Sequence, residues 1–141
     1  MADPPADAYA LVALLAMAFR GLIDDLHTRL AAVGYNDLRP AHGFAFQRLA
    51  PAGATGNELA AHLDITKQAA SQMIEYLEQR GYVTRQPHPS DKREKLVVLT
   101  PRGWDCIRVV EAVFANQEQR LRELLGAERL EQLRVDLHSM V

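Results

Sequence analysis

The chain has 141 residues, about the size of one ordinary domain built on a single core. At 48% hydrophobic and 24% charged it is too apolar for a disordered chain, and 16 basic against 18 acidic side chains leave a net charge of −2. No global basicity announces nucleic acid, so any basic surface must be local. The single cysteine, Cys106, excludes an internal disulfide framework and a Cys-rich zinc site, and it suits a reducing, cytoplasmic setting.

Pro4-Pro5 sets an extended start. Apolar residues then recur at helical spacing from Ala6 to about Val33 (Leu11, Leu15, Ala18, Leu22, Leu26, Leu30), and Gly34 closes that helix. Its apolar run, Ala8–Phe19, has Asp3 and Asp7 on its flank and no base before Arg20, unlike a secretion signal. It is too short to cross a bilayer, so a buried helix is expected and no membrane association. A short helix is expected over Pro40–Leu49, then a loop at Ala52-Gly53-Ala54. Thr55-Gly56-Asn57-Glu58 is a capping-box pattern opening a helix through Leu63. Asp64-Ile65 forms a tight connection, Thr66 caps the next helix, and that helix runs to Arg80 before Gly81. Two helices joined so closely form a helix-turn-helix unit.

After Gly81 the pattern becomes β-branched and apolar. Strands are expected at Tyr82–Arg85 and Lys95–Leu99, around a polar loop bearing Pro87 and Pro89. Thr100-Pro101 starts a long helix whose seam reads Ile107, Val110, Phe114, Gln117, Leu121 and Leu124. Gly126 breaks it, and Leu130, Leu133, Leu137 and Met140 continue the rhythm. The fold class expected is mainly α with a small β-hairpin wing: a winged helix-turn-helix over about residues 40–100, flanked by helices at 6–33 and 101–141. The terminal helices carry more apolar seam than a small centre covers. They either pack only on each other or form a homodimer, and the exposed-seam argument favours the homodimer.

On the helix opened by Thr66, Ala69, Ala70, Met73, Tyr76 and Leu77 share the inward side, with Ile74 at its border. Lys67, Gln68, Ser71, Gln72, Glu75 and Gln79 share the outward side, and its first two turns contain no acid. Amides and hydroxyls read base edges, and a helix N-terminus favours phosphate. A plain solvated surface would also be polar, but it usually mixes Glu with Lys throughout. Arg85, Lys92, Arg93 and Lys95 make the hairpin basic, opposed by Asp91 and Glu94. Such a tip suits a DNA backbone or minor groove, with Asp91 holding Arg85 or Arg93, or serving only as a turn residue.

The segment from Ile65 to Gly103 resembles the winged-helix core of the MarR (multiple antibiotic resistance regulator) family of bacterial transcription factors. The resemblance rests on Leu77-Glu78, Gly81, Val83, Arg85, Asp91-x-Arg93, Leu99-Thr100 and Gly103, with Glu58-Leu59-Ala60 upstream. It implies a symmetric dimer on a pseudo-palindromic operator in double-stranded DNA, with recognition helices in adjacent major grooves about 34–36 Å apart and wings in minor grooves. By the same resemblance Lys67, Gln68, Ser71 and Gln72 read bases or position phosphates, and Arg93 is the wing-tip arginine oriented by Asp91. It also implies a small phenolic or aromatic acid effector bound between the dimerisation helices and the winged lobe. Arg20, His27, Tyr35, His42 and Phe46 lie on segments able to line such a slot, though without diagnostic spacing. Repression relieved by that ligand is the expected mode.

Two alternatives stand beside this reading. Cys106 would be a redox sensor if exposed with a lowered pKa, and a packed small hydrophobe otherwise. A winged helix used only for protein contacts would bind no DNA. An enzyme is not expected: His27, His42, His62, His88 and His138 have no metal-ligand spacing, and neither a phosphate loop nor a nucleophile elbow is present. No metal or cofactor is implied.

Overall fold

The computed structural model describes residues 2–141, which form two compact units. One is Leu30–Val109; the other combines the chain up to Arg29 with Val110–Val141. Six α-helices and a three-stranded antiparallel sheet make up the described residues, with one 3-10 turn at Ala6–Ala8. In chain order these are α1 (Leu11–Ala32), α2 (Pro40–Leu49), β1 (Ala54–Thr55), α3 (Gly56–Leu63), α4 (Lys67–Gln79), β2 (Val83–Pro87), β3 (Lys95–Leu99), α5 (Pro101–Leu125) and α6 (Ala127–His138). The expected mainly-α fold with a β-hairpin wing is observed.

Several local expectations need correction. The first helix begins at Leu11 rather than Ala6, because Tyr9 is extended and separates the 3-10 turn from α1. Ala54 is not loop: with Thr55 it pairs to Val97 and Leu96 as a third strand. The sheet order is therefore β1-β3-β2, which makes β3 central and leaves β2 an edge, where Pro87 is tolerated.

In the Leu30–Val109 unit the core gathers Leu30, Phe46, Leu49, Leu59, Ile74, Leu77, Tyr82, Val97 and Cys106. Ile74 is fully part of it rather than at a border. Thr55 accepts from the Glu58 amide at 3.1 Å while Glu58 accepts from the Thr55 amide at 3.1 Å, so the capping box forms and starts α3. Asp64 then adopts the left-handed conformation (φ 54°) that ends α3 and lets α4 begin three residues later, at Lys67.

In the other unit, Gln117 lies in the buried row of α5 and donates to the Leu22 carbonyl at 2.8 Å and to Asp25 Oδ2 at 3.1 Å. Arg134 of α6 reaches Glu118 of α5 at 2.9 Å. Along α5 as a whole the buried positions are Gly103, Cys106, Val113 and Gln117, with Phe114 and Leu124 exposed, so the expected seam is only partly the buried one. The N-terminal apolar run is likewise not buried within one chain: Leu11 is 71% and Val12 77% exposed.

Candidate nucleic-acid interface

Helix α4 presents its polar start to solvent because its other face is committed to the core. Ala70, Ile74 and Leu77 are buried, while Lys67, Gln68, Ser71 and Gln72 are all exposed. The exposed Thr66 caps the helix, its Oγ1 accepting from the Ala69 amide at 3.0 Å. No acid occupies the first turn, so the positive end of the helix dipole faces outward uncompensated. Lysine, amides and a hydroxyl there suit phosphate oxygens and base edges.

The wing brings its cations to the same face. A cleft of about 280 Å³ is lined by Gly56 and Asn57 of α3, Ser71 and Ile74 of α4, and Arg85, Arg93, Glu94 and Lys95 of the hairpin, with Thr55 and Val97 behind. Of the expected site residues, Ser71, Arg85, Arg93 and Lys95 thus converge on one concavity. Lys67, Gln68 and Gln72 belong to the same helix face, and Lys92 is exposed at the tip.

The acids on this face are mostly occupied. Arg85 Nε lies 3.6 Å from Glu78, tying β2 to the last turn of α4. Asp91 meets Arg93 and not Arg85: its Oδ1 accepts from the Arg93 amide at 3.0 Å and lies 3.5 Å from Arg93 Nε. The carboxylate shapes the turn first and steers the guanidinium second, leaving the Arg93 side chain 92% exposed. His88 also builds the tip, its Nδ1 accepting from the Ser90 and Asp91 amides at 3.1 and 3.0 Å. That contact puts the neutral ring's hydrogen on Nε2.

Sequence reasoning passed over Asn57 as part of this surface. Its Nδ2 donates to Glu94 Oε1 at 3.1 Å, bridging the start of α3 to the wing. The capping-box pattern located Asn57 on the chain, but its approach to the wing follows from the two-residue β1 ladder, too short to carry a periodic signal.

Behind the face, one loop residue holds α4 in place. Asp37 accepts from Tyr82 Oη at 2.6 Å through its carboxylate and from Tyr76 Oη at 2.5 Å through its carbonyl. Arg80 lies over the Tyr76 ring and 3.8 Å from the Asp37 carboxylate. Arg102 donates to Tyr82 Oη at 3.1 Å.

The remaining candidates fall elsewhere. In the Leu30–Val109 unit Phe46 is buried against Tyr82, and buried His42 stacks on Tyr76 while its Nδ1 accepts from the Arg39 amide at 2.9 Å. Tyr35 is half-buried beside Tyr82 and Arg102. Arg20, exposed, and His27, half-buried, belong to the other unit. Cys106 is fully buried, and burial pushes its thiol up to about 11, opposite to what a thiolate sensor needs. It packs as a small hydrophobe. Among the described residues no group of three or more His, Cys, Asp or Glu side chains is placed to hold a metal, and no helix is long and apolar enough to cross a membrane.

Residues 37–94 match the sequence model of the MarR family. The structure is similar to the transcriptional repressor CouR bound to a 23-mer DNA duplex: 27% identity, 99% of this chain and 98% of that one covered, TM-score 0.76. It is also similar to wild-type MarR from E. coli in its apo form, with 27% identity, 94% and 98% covered and a TM-score of 0.72. The S. aureus MepR–DNA complex shares the fold at 24% identity, with 94% and 96% covered and a TM-score of 0.71.

Proposed function

From the MarR-family winged helix carried by residues 37–94, we propose that this protein is a cytoplasmic, homodimeric, sequence-specific DNA-binding transcriptional regulator acting as a repressor. One observation carries the reading: the acid-free start of α4 and three hairpin cations, Arg85, Arg93 and Lys95, converge on one cleft of an otherwise anionic chain. In this reading α4 enters a major groove of double-stranded DNA. Lys67, Gln68, Ser71 and Gln72 meet bases and phosphates there, with Thr66 at the helix start. The wing follows the adjacent backbone or minor groove through Arg85, Lys92, Arg93 and Lys95, with Asp91 shaping its tip.

A second copy of the chain completes the reading. Leu11, Val12, Met17 and Phe19 of α1, with Phe114 and Leu124 of α5, leave large apolar side chains in water. Burying each is worth about 1.5–3 kcal/mol, and a twofold partner offers the same surface in return. The flanking segments 6–33 and 101–141 are therefore read as dimerisation helices around a DNA-binding lobe at about 40–100. Release by a small aromatic or phenolic acid is the regulation that the family resemblance implies. Screening such acids against a preformed protein–DNA complex tests it.

The decisive experiment titrates the purified protein against duplexes selected from genomic fragments at several salt concentrations. A dimer binding a pseudo-palindromic site with a steep negative salt slope is expected. A stable monomer, or a protein ignoring every duplex in dilute buffer, overturns the reading and favours a winged helix devoted to protein contacts.

A further inference from the structure

Among the described residues, Glu94 is the one carboxylate lining the cleft between α4 and the wing. Its neighbours on this face are differently placed. Asp91 is engaged by Arg93, Glu78 by Arg85, and Glu58 by the Thr55 amide and by Arg48 at 2.9 Å. Among the described residues Glu94 makes no ion pair, and its side chain accepts only from the neutral Asn57 amide, which lines the same cleft. Lys95, lining the same cleft, likewise has no acidic partner among the described residues. An exposed hydrogen bond to a neutral amide contributes little to stability, so fold maintenance does not account for a full negative charge in this position.

We propose that Glu94 is an affinity-limiting residue of the DNA interface: its carboxylate, latched to Asn57, occupies a cation-lined cleft suited to a backbone phosphate and repels the duplex there. The inference rests on the DNA-binding reading above. Its physical basis is Coulombic. A phosphate entering between Ser71, Arg93 and Lys95 meets a fixed negative charge that partly cancels the hairpin cations, and that cost is the same for every base sequence. Glu94 thereby limits binding to operator and unrelated DNA alike and keeps the protein exchangeable on its site.

The test compares full-length protein with Glu94→Gln and Asn57→Ala, using one selected operator duplex and one unrelated duplex of equal length across a salt series. Gln keeps the acceptor for Asn57 and removes only the charge. Glu94→Gln is expected to bind both duplexes about three- to tenfold more tightly near 0.1 M salt. Its log–log salt slope should steepen by up to about 0.9, one further phosphate neutralised. Asn57→Ala, which keeps the charge, is expected to give no such gain. Unchanged or weaker binding by Glu94→Gln, or an equal gain from Asn57→Ala, overturns the inference while leaving the DNA-binding reading intact. Failure of the unsubstituted protein to bind any duplex overturns both.

Discussion

The Tyr82 hydroxyl donates to Asp37 Oδ1 at 2.6 Å, joining the residue that precedes β2 to the loop that precedes α2. Tyr82 is fully buried, and burial, reinforced by the adjacent Asp37 carboxylate, pushes its hydroxyl well above the usual tyrosine range. Tyr82→Phe leaves that carboxylate short of a donor, so a loss of about 1.5–3 kcal/mol is expected. Thermal and urea unfolding measure it. A raised folded-state pKa makes this contribution complete below the ordinary value near 10 and erodes it as pH climbs further. Stability of the unsubstituted protein should therefore fall above pH 10 by more than that of Tyr82→Phe.

Gly103 is required by close approach. A Cβ there would press on the Tyr82 carbonyl oxygen and lie 3.1 Å from Leu99 Cδ2, neither of them a free side-chain end in solvent. Gly103→Ala must push the first turn of α5 away from β3, at an expected cost of about 1–3 kcal/mol by chemical denaturation. Gly43→Ala, where nothing lies within 4 Å, is the control expected to leave stability unchanged or improved.

Acid should attack two carboxylates, one at the start of α3 and one within α1. The Thr55 backbone and side chain hold the Glu58 carboxyl below its ordinary 4.5, and Gln117 followed by Arg29 holds Asp25 below 3.8. Depressed folded-state values mean that this stabilisation is present above those ordinary values and disappears as pH falls through and below them. Glu58→Gln keeps a side-chain acceptor for the Thr55 amide. It is expected to flatten the acid limb of a stability–pH profile below about pH 5.

Base reading and backbone gripping should separate by mutation. Arg93→Ala is expected to weaken all duplexes alike and reduce the salt slope by about 1. Gln68→Ala or Gln72→Ala should instead change the ranking of single-base operator variants, by about 1–3 kcal/mol at the affected position. Competition titrations with a panel of such variants distinguish the two. Equal effects of all three substitutions on every duplex would remove the division of labour between α4 and the wing.

Much of this architecture was legible because it rests on local chemistry. The Thr55–Glu58 box, Thr66 before α4, Gly81 after it and Thr100-Pro101 before α5 each mark a boundary through hydrogen bonds within a few residues. The polar face of α4 was legible from its period alone. What escaped depends on contacts distant along the chain. β1 is two residues long, the Asn57–Glu94 bridge spans 37 positions, and the Tyr82–Asp37 bond spans 45. The helix period alone sets Ile74 between the two faces, whereas the strand β2 packed beside α4 helps to bury it.

The short ladder between Ala54–Thr55 and Leu96–Val97 governs how the hairpin can bend. It splints β3 on the side away from β2, and Thr55 passes straight into α3, so tilting the ribbon at its root would drag the helix-turn-helix with it. Residues 88–94 lie beyond the last rung at Pro87–Lys95 and are held by hydrogen bonds to the side chains of His88, Asp91 and Glu94 rather than by the ladder. The hairpin is thus braced at its shoulder, and under the DNA-binding reading proposed above any accommodation of Arg93 to a duplex would fall to the fingertip rather than to the aim of α4.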